Sequence, residues 1–280
     1  TFASATGQPA VDESGDTVTI RFFVDAGQRA YVRRITFRGN TVTHDEVLRR
    51  EMRQMEGGWA STAAIDHSKQ RLERLGFFKE VTVETPPVPG TEDQIDVNYS
   101  VEEQPSGAIS ASLGYAGDVG LIIGASYQEN NVFGTGNSIN IGINRSDFQK
   151  SFNFSFLDPY YTIDGVSRGY SVFFRKSDFQ ERNIARFSTD TYGGSVNFGY
   201  PVSEVSRLGF SAGYENTTLK EGLFPAQEIS QFLASEGKEF DLFSVTASYT
   251  MSALNRGLLP TAGKSQSLSF ELAVPGSELE

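Results

Sequence analysis

The chain has no cysteine and only two histidines, His44 and His67, in 280 residues. Thiol nucleophiles, disulfide scaffolds and cysteine-ligated metals are therefore excluded. The missing thiols suit an oxidising compartment. No stretch approaches the roughly 18 consecutive apolar residues that a membrane helix needs. Basic charge is also short: 24 Lys and Arg face 35 Asp and Glu, a net charge of −11. Phosphate backbones want a basic surface, so no nucleic-acid partner is expected. Neither cofactor nor metal is expected, because no ligand cluster stands out. His67 lies in Ile65-Asp66-His67-Ser68, whose members splay around a helix axis, so it reads as a surface histidine rather than an acid–base group. Gly134-Thr135-Gly136 is followed by no helix and reads as a hairpin turn, not a phosphate loop. No enzyme is expected.

Alternation is what the chain has in quantity. In Ser151-Phe152-Asn153-Phe154-Ser155-Phe156 the phenylalanines fall on one face of a strand and the polar residues on the other. Ile139, Ile141 and Ile143 oppose Asn140, Gly142 and Asn144; Leu268, Phe270 and Leu272 oppose Ser267, Ser269 and Glu271. One apolar and one small-polar face, over strands of about ten residues, is the pattern of a membrane β-barrel with a wet interior. A soluble barrel would carry more Lys and Glu on its polar face. Nine such strands are expected near 107–115, 119–128, 136–146, 149–157, 166–177, 189–200, 206–217, 240–253 and 264–274. The connections after the second, fourth, sixth and eighth are compact; 178–188 and 219–239 are long and charged. Ile229, Phe232 and Leu233, after Pro225, form a short amphipathic segment expected to fold over its own hairpin, or else to act as a lid. Short turns mark the periplasmic side. An odd strand count leaves an edge unpaired, so the chain is expected to be a fragment.

Before the barrel, residues 28–104 read as a complete α+β domain of order β-α-α-β-β. Thr43-His44-Asp45-Glu46 is a capping-box sequence. Ser61 is placed to cap a second helix that ends at Gly76. Thr17–Val24 alternates as one strand, and Asp25-Ala26-Gly27-Gln28 reads as a turn. The division is thus 1–27, the end of a preceding domain; 28–104, a complete domain; and 105–280, the N-terminal part of a barrel.

Residues Tyr31–Asn40, Leu48–Gly57 and Arg74-Leu75-Gly76-Phe77-Phe78 resemble a POTRA domain, the last of a series, in the Omp85 family. Asn131–Gly136, Asp158–Ser167 and Asn255-Arg256-Gly257 with Pro260–Gly263 resemble that family's periplasmic turns. The resemblance implies the first nine of about sixteen strands. It also implies a central subunit of the outer-membrane barrel-assembly machinery, in the outer membrane of a Gram-negative bacterium with its POTRA domains in the periplasm. Such a subunit folds and inserts client proteins by strand templating at a lateral seam. A two-partner secretion pore and a passive porin-like channel are the alternatives. The implied partners are unfolded outer-membrane clients, accessory lipoproteins of the Bam complex (BamD most directly), periplasmic chaperones and outer-membrane lipid.

Three sites are expected. The first barrel strand, Ile109, Ser110, Ala111, Ser112, Leu113, Gly114 and Tyr115, carries small side chains and is the templating edge. The charge cluster Arg49, Arg50, Arg53 and Glu56, on and after the first helix, is the lipoprotein docking face, with a solvated helix face as the plain reading. Val81, Thr82, Val83 and Glu84 offer a second augmentation edge in the POTRA domain.

Overall fold

The computed structural model describes residues 4–11, 18–25, 29–117, 119–180, 186–222, 227–256, 259–275 and 277. They fall into two compact units: Thr1–Ser106 with Phe133–Thr135, and Gly107–Val132 with Gly136–Glu280.

The first unit opens with an antiparallel hairpin, β1 (Ser4–Val11) and β2 (Val18–Asp25). Only the second of these strands is legible as alternation, because Gly7 and Pro9 interrupt the first. The turn expected after Asp25 lies outside the described residues. Val18, Ile20, Phe22 and Val24 of β2 share one face, and all are exposed.

The expected β-α-α-β-β order follows: β3 (Tyr31–Arg38), α1 (Asp45–Arg49), α2 (Thr62–Arg74), β4 (Phe78–Glu84) and β5 (Gln94–Glu103). The sheet order is β3-β5-β4, with β3 parallel and β4 antiparallel to β5. On β5 the burial alternates, so Ile95, Val97, Tyr99 and Val101 turn inward. They meet Val47 and Leu48 of α1 and Ile65 and Leu72 of α2 in one core. The Ser61 hydroxyl accepts from Ala64 N at 3.3 Å, as an N-cap should, and Gly76 takes the positive φ that stops the helix.

The capping box of α1 does not form. His44 is the N-cap residue and its side chain makes no capping bond. Thr43 is buried, and both its amide and its side chain bond to the Glu103 carboxylate instead. A carboxylate sixty residues away engages the Thr43 hydroxyl as one of several donors, and this charge-assisted bond replaces the local cap.

The second unit is a nine-stranded antiparallel sheet with neighbours in chain order: β6 (Gly107–Ala116), β7 (Gly120–Glu129), β8 (Ser138–Arg145), β9 (Gln149–Asp158), β10 (Ser167–Asp178), β11 (Phe187–Ser203), β12 (Ser206–Glu221), β13 (Glu239–Leu254) and β14 (Gly263–Ala273). It is not closed; β6 and β14 are its two edges. The registers align the apolar residues strand after strand. Tyr127 opposes Ile141, Ile141 opposes Phe154, Phe154 opposes Val172, and Val245 opposes Leu272. The opposite face carries Ser110, Ser126, Gly142 and Asn153 in register, and Ser155 opposite Ser171. Ser171 Oγ and Ser195 Oγ hydrogen-bond at 2.7 Å across that polar face. Phe173 is one large residue there, and Gly193 leaves room for its ring: a Cβ at Gly193 would come within 2.9 Å of it. A short helix, α3 (Gln227–Glu236), precedes β13. Its Phe232 stacks on Phe240 at 5.6 Å, and Leu233 is buried, so the segment folds onto its own hairpin. Pro225 lies outside the described residues.

Candidate functional site

The templating candidate is the β6 edge. Its large side chains, Ile109, Leu113 and Tyr115, are about four-fifths exposed, at 83%, 77% and 80%. β6 pairs with β7 along its whole length, Gly107 with Glu129 to Ala116 with Gly120, and its other side is the edge of the sheet.

The backbone groups facing out from that edge follow from the ladder. In an antiparallel pair a residue's N–H and C=O point to the same neighbour, and successive residues alternate. At the β8–β9 turn Ser146 N donates to Gln149 O at 2.7 Å. In steps of two, Asn144 then bonds to Ser151. Arg145, Ile143 and Ile141 turn the other way, to Ile123, Ala125 and Tyr127 of β7. Gly124, Ser126 and Gln128 are left to bond Ser112, Ser110 and Ala108. The outward donors and acceptors of β6 are therefore those of Ile109, Ala111, Leu113 and Tyr115. Phe179 N donating to Phe187 O, farther along the sheet, falls in the same phase. Ser110, Ser112 and Gly114 hold β6 to the sheet; Ile109, Ala111, Leu113 and Tyr115 offer the edge.

The second edge is β4, which pairs only with β5, so Val81–Glu84 lie on a sheet margin. The opposite margin, β3, is already covered: Gly57 N donates to Val32 O, and Val32 N to Gly58 O. Beside Val83 a groove of about 290 Å³ opens between Ala30, Ala60, Ile65 and Ile95.

The charge cluster is not one helix. α1 ends at Arg49, with Arg50 as its C-cap. The buried Ser68 hydroxyl then accepts Arg53 N at 2.8 Å and pulls the chain off the helical path. Arg49 contacts Asp45 at 3.3 Å and Glu56 at 3.5 Å. Arg50 reaches Thr135 O at 3.5 Å, within the same compact unit, and Arg53 donates to Met52 O. Glu56 also accepts Ile35 N at 2.8 Å, beside the register shift of β3, so it serves the fold as well as the surface. Glu51 is not part of the surface: it is buried against Arg71 at 2.6 Å. Sequence reasoning missed two neighbours. Met55 and Trp59 are exposed at 70% and 56%, and Arg29 lies 4.2 Å over the Trp59 ring. The signal was available, since Trp59 is the only tryptophan in the chain.

Glu103 closes β5 and organises the loop before α1. Its carboxylate accepts Thr41 N, Val42 N and Thr43 N at 2.7–3.0 Å and the Thr41 hydroxyl at 2.7 Å. Burial pushes its pKa up, but these donors outweigh burial and bring it from 4.5 down to about 2. A depressed carboxyl stabilises the fold above its ordinary value, and that stability is lost as pH falls from 4.5 toward 2. Glu103→Gln is expected to cost about 1–3 kcal/mol. Hydrogen exchange of the Thr41–Thr43 amides in the full-length protein checks it: the variant should exchange faster at pH 6, and the wild type should approach the variant on acidification.

The Omp85 superfamily domain matches residues 131–280, and the POTRA model, described as a surface antigen variable number repeat, matches residues 30–104. Outer membrane protein assembly factor BamA of Neisseria meningitidis serogroup B is 33% identical over 98% of this chain and 36% of that protein. The chain thus spans about a third of the length of this curated relative. BamA from Haemophilus ducreyi lacking POTRA domains 1–3 superposes with a TM-score of 0.77 at 36% identity, over 99% of this chain and 54% of that one. CdiB from Escherichia coli gives a TM-score of 0.57 at 16% identity, over 98% of this chain and 49% of that one, a likeness of fold alone.

Proposed function

Because the chain belongs to the Omp85 superfamily, we propose that it is the last POTRA domain and the leading barrel strands of an outer-membrane protein assembly factor. The observation that carries this reading is the 33% identity to an assembly factor across nearly the whole chain, against a likeness to CdiB in fold alone. The sheet lies in the outer membrane and the POTRA domain in the periplasm. Its apolar face meets lipid and its serine and asparagine face the wet interior. Unfolded outer-membrane proteins, brought by periplasmic chaperones, are its substrates. Each adds a strand to the outward groups of Ile109, Ala111, Leu113 and Tyr115, which recognise backbone rather than sequence. Gly107, Gly114 and the small Ser110, Ala111 and Ser112 supply little packing, so the seam at β6 opens at low cost. Val81–Glu84, beside the groove at Val83, is a second place where an extended client segment docks. The hairpin β1–β2 is the end of a preceding POTRA domain, whose helices would cover Ile20, Phe22 and Val24. No step in this scheme needs a catalytic group.

The test is depletion of the full-length protein followed by a census of the outer membrane. Loss of many unrelated barrels is the expected result. Loss of one secreted protein alone would mean a two-partner secretion pore, and an unchanged census with lost conductance would mean a passive channel.

Arg49, Arg50, Arg53 and Glu56 form the docking face for an accessory lipoprotein, BamD most directly, with Met55 and Trp59 as apolar anchors beside them. Arginine, tryptophan and methionine are the residues that interfaces favour. Trp59→Ala should weaken retention of that partner about tenfold in a pull-down. Glu56→Lys should weaken it further, but it also frees Ile35 N; Glu56→Gln keeps an acceptor for that amide and isolates the charge. Unchanged retention in both Trp59→Ala and Glu56→Gln would leave only a solvated surface.

A further inference from the structure

We infer that Arg145, Lys150 and Lys176 form a lipid-facing cationic row that binds the phosphates of a lipid headgroup at the outer surface of the membrane. The inference rests on the reading of the second unit as membrane-spanning. The three residues are direct cross-strand partners: Arg145 opposes Lys150, and Lys150 opposes Lys176. They share a face with the apolar row one step inward, Ile143, Phe152 and Phe174. Chain direction places the row at the far end of the sheet from Gly107, where the chain enters, and hence on the outer side.

Like charges set directly opposite each other destabilise a sheet. The sequence accepts that cost on two successive strand pairs. Among the described residues little counter-charge meets the row. Asp190 serves both Lys176, at 3.8 Å, and Lys220, at 2.5 Å. Among the described residues Arg145 and Lys150 have no ion-pair partner, and both are exposed. Asp147, the acid of the intervening turn, lies where a Cβ on Gly120 would sit. Beyond Asp190 the same row turns to Thr218 and Glu239, so the basic segment is confined to β8–β10.

Depth agrees with a headgroup. On β8, β9 and β10 the lipid-facing stretch runs from Asn137 to Arg145, from Asp158 to Lys150 and from Arg168 to Lys176. Eight residues make about 26 Å along a strand, and strand tilt brings that within the apolar band of an outer-membrane barrel. Width agrees too. Three adjacent strands set the cations over about 10 Å, the breadth of a phosphorylated headgroup rather than of one ion.

Native mass spectrometry of the full-length protein in zwitterionic detergent, titrated with bis-phosphorylated lipid A, tests the assignment. The wild type should bind this lipid at least about tenfold more tightly than R145S/K150S/K176S, while both bind the dephosphorylated lipid alike. K150R/K176R keeps the charge and should keep the binding. Equal binding of the phosphorylated lipid by wild type and triple variant, both folded by heat-modifiable migration, overturns the proposal. So does displacement of the lipid by equimolar inorganic phosphate, which would mark a free-anion site. If the triple variant does not fold, K150S alone should lose about threefold, and no loss overturns the proposal. Failure of the membrane reading is separate: the wild type would then enter no bilayer.

Discussion

Full-length protein carrying Ala111→Pro is expected to keep its folded barrel and lose most of its assembly activity. Ala111 points its N–H away from β7, so proline there removes no bond of the β6–β7 ladder. It removes one donor from the middle of the free edge and fixes φ. Edge strands tolerate such a proline in the fold itself. One lost backbone bond to a client is worth about 1 kcal/mol, so a roughly five- to tenfold slower client insertion is expected. Ser112→Pro is the contrasting variant. Its N–H faces Gly124, so it breaks the ladder to β7 and should lower barrel stability as well. Client folding by the two variants in proteoliposomes, beside their own urea unfolding, separates the effects. Wild-type rates in Ala111→Pro would mean that clients do not add to β6.

A lysine at Phe154 should cost about 2–4 kcal/mol of barrel stability, whereas one at Asn153 should cost little. Phe154 sits midway between Lys150 and Asp158, against Ile141 on one side and Val172 on the other. It is therefore near the bilayer midplane, where a cation finds no water. Asn153 opposes Gly142 and Phe173 on the wet face, where an ammonium group stays hydrated. Equilibrium unfolding of the two full-length variants from bilayers measures the difference. Equal stabilities would reverse or abolish the assignment of faces.

The barrel strands were legible because their period of two survives in any environment. All nine lie where alternation puts them, as with β8 at Ser138–Arg145 within the expected 136–146. Ends were less clear. β11 runs from Phe187 to Ser203 rather than 189 to 200, since Ser, Thr and Asp outside the apolar band give no contrast between faces. β1 was invisible, with Gly7 and Pro9 where alternation should be. What fails wholly is anything joining distant residues. Nothing local in Thr41–Thr43 announces Glu103, and nothing in the charge run announces that Glu56 accepts Ile35 N. The charge cluster reads as lying on and after the first helix, and nothing local in it announces that α1 stops at Arg49 or that Ser68, on α2, takes the Arg53 amide beyond it.

If clients add to β6 as proposed, the alternating direction of its backbone sets a rule for them. The outward groups belong to residues whose side chains lie on the apolar face, Ile109, Ala111, Leu113 and Tyr115. In an antiparallel addition, opposed residues share a face. A strand that added to β6 under the proposed function would therefore bond through its own lipid-side residues, and a slip of one residue would expose its polar side to hydrocarbon. The edge is indifferent to spelling but strict about parity. A client should tolerate proline at lumen-side positions of its first-docked strand and fail when the proline is moved by one.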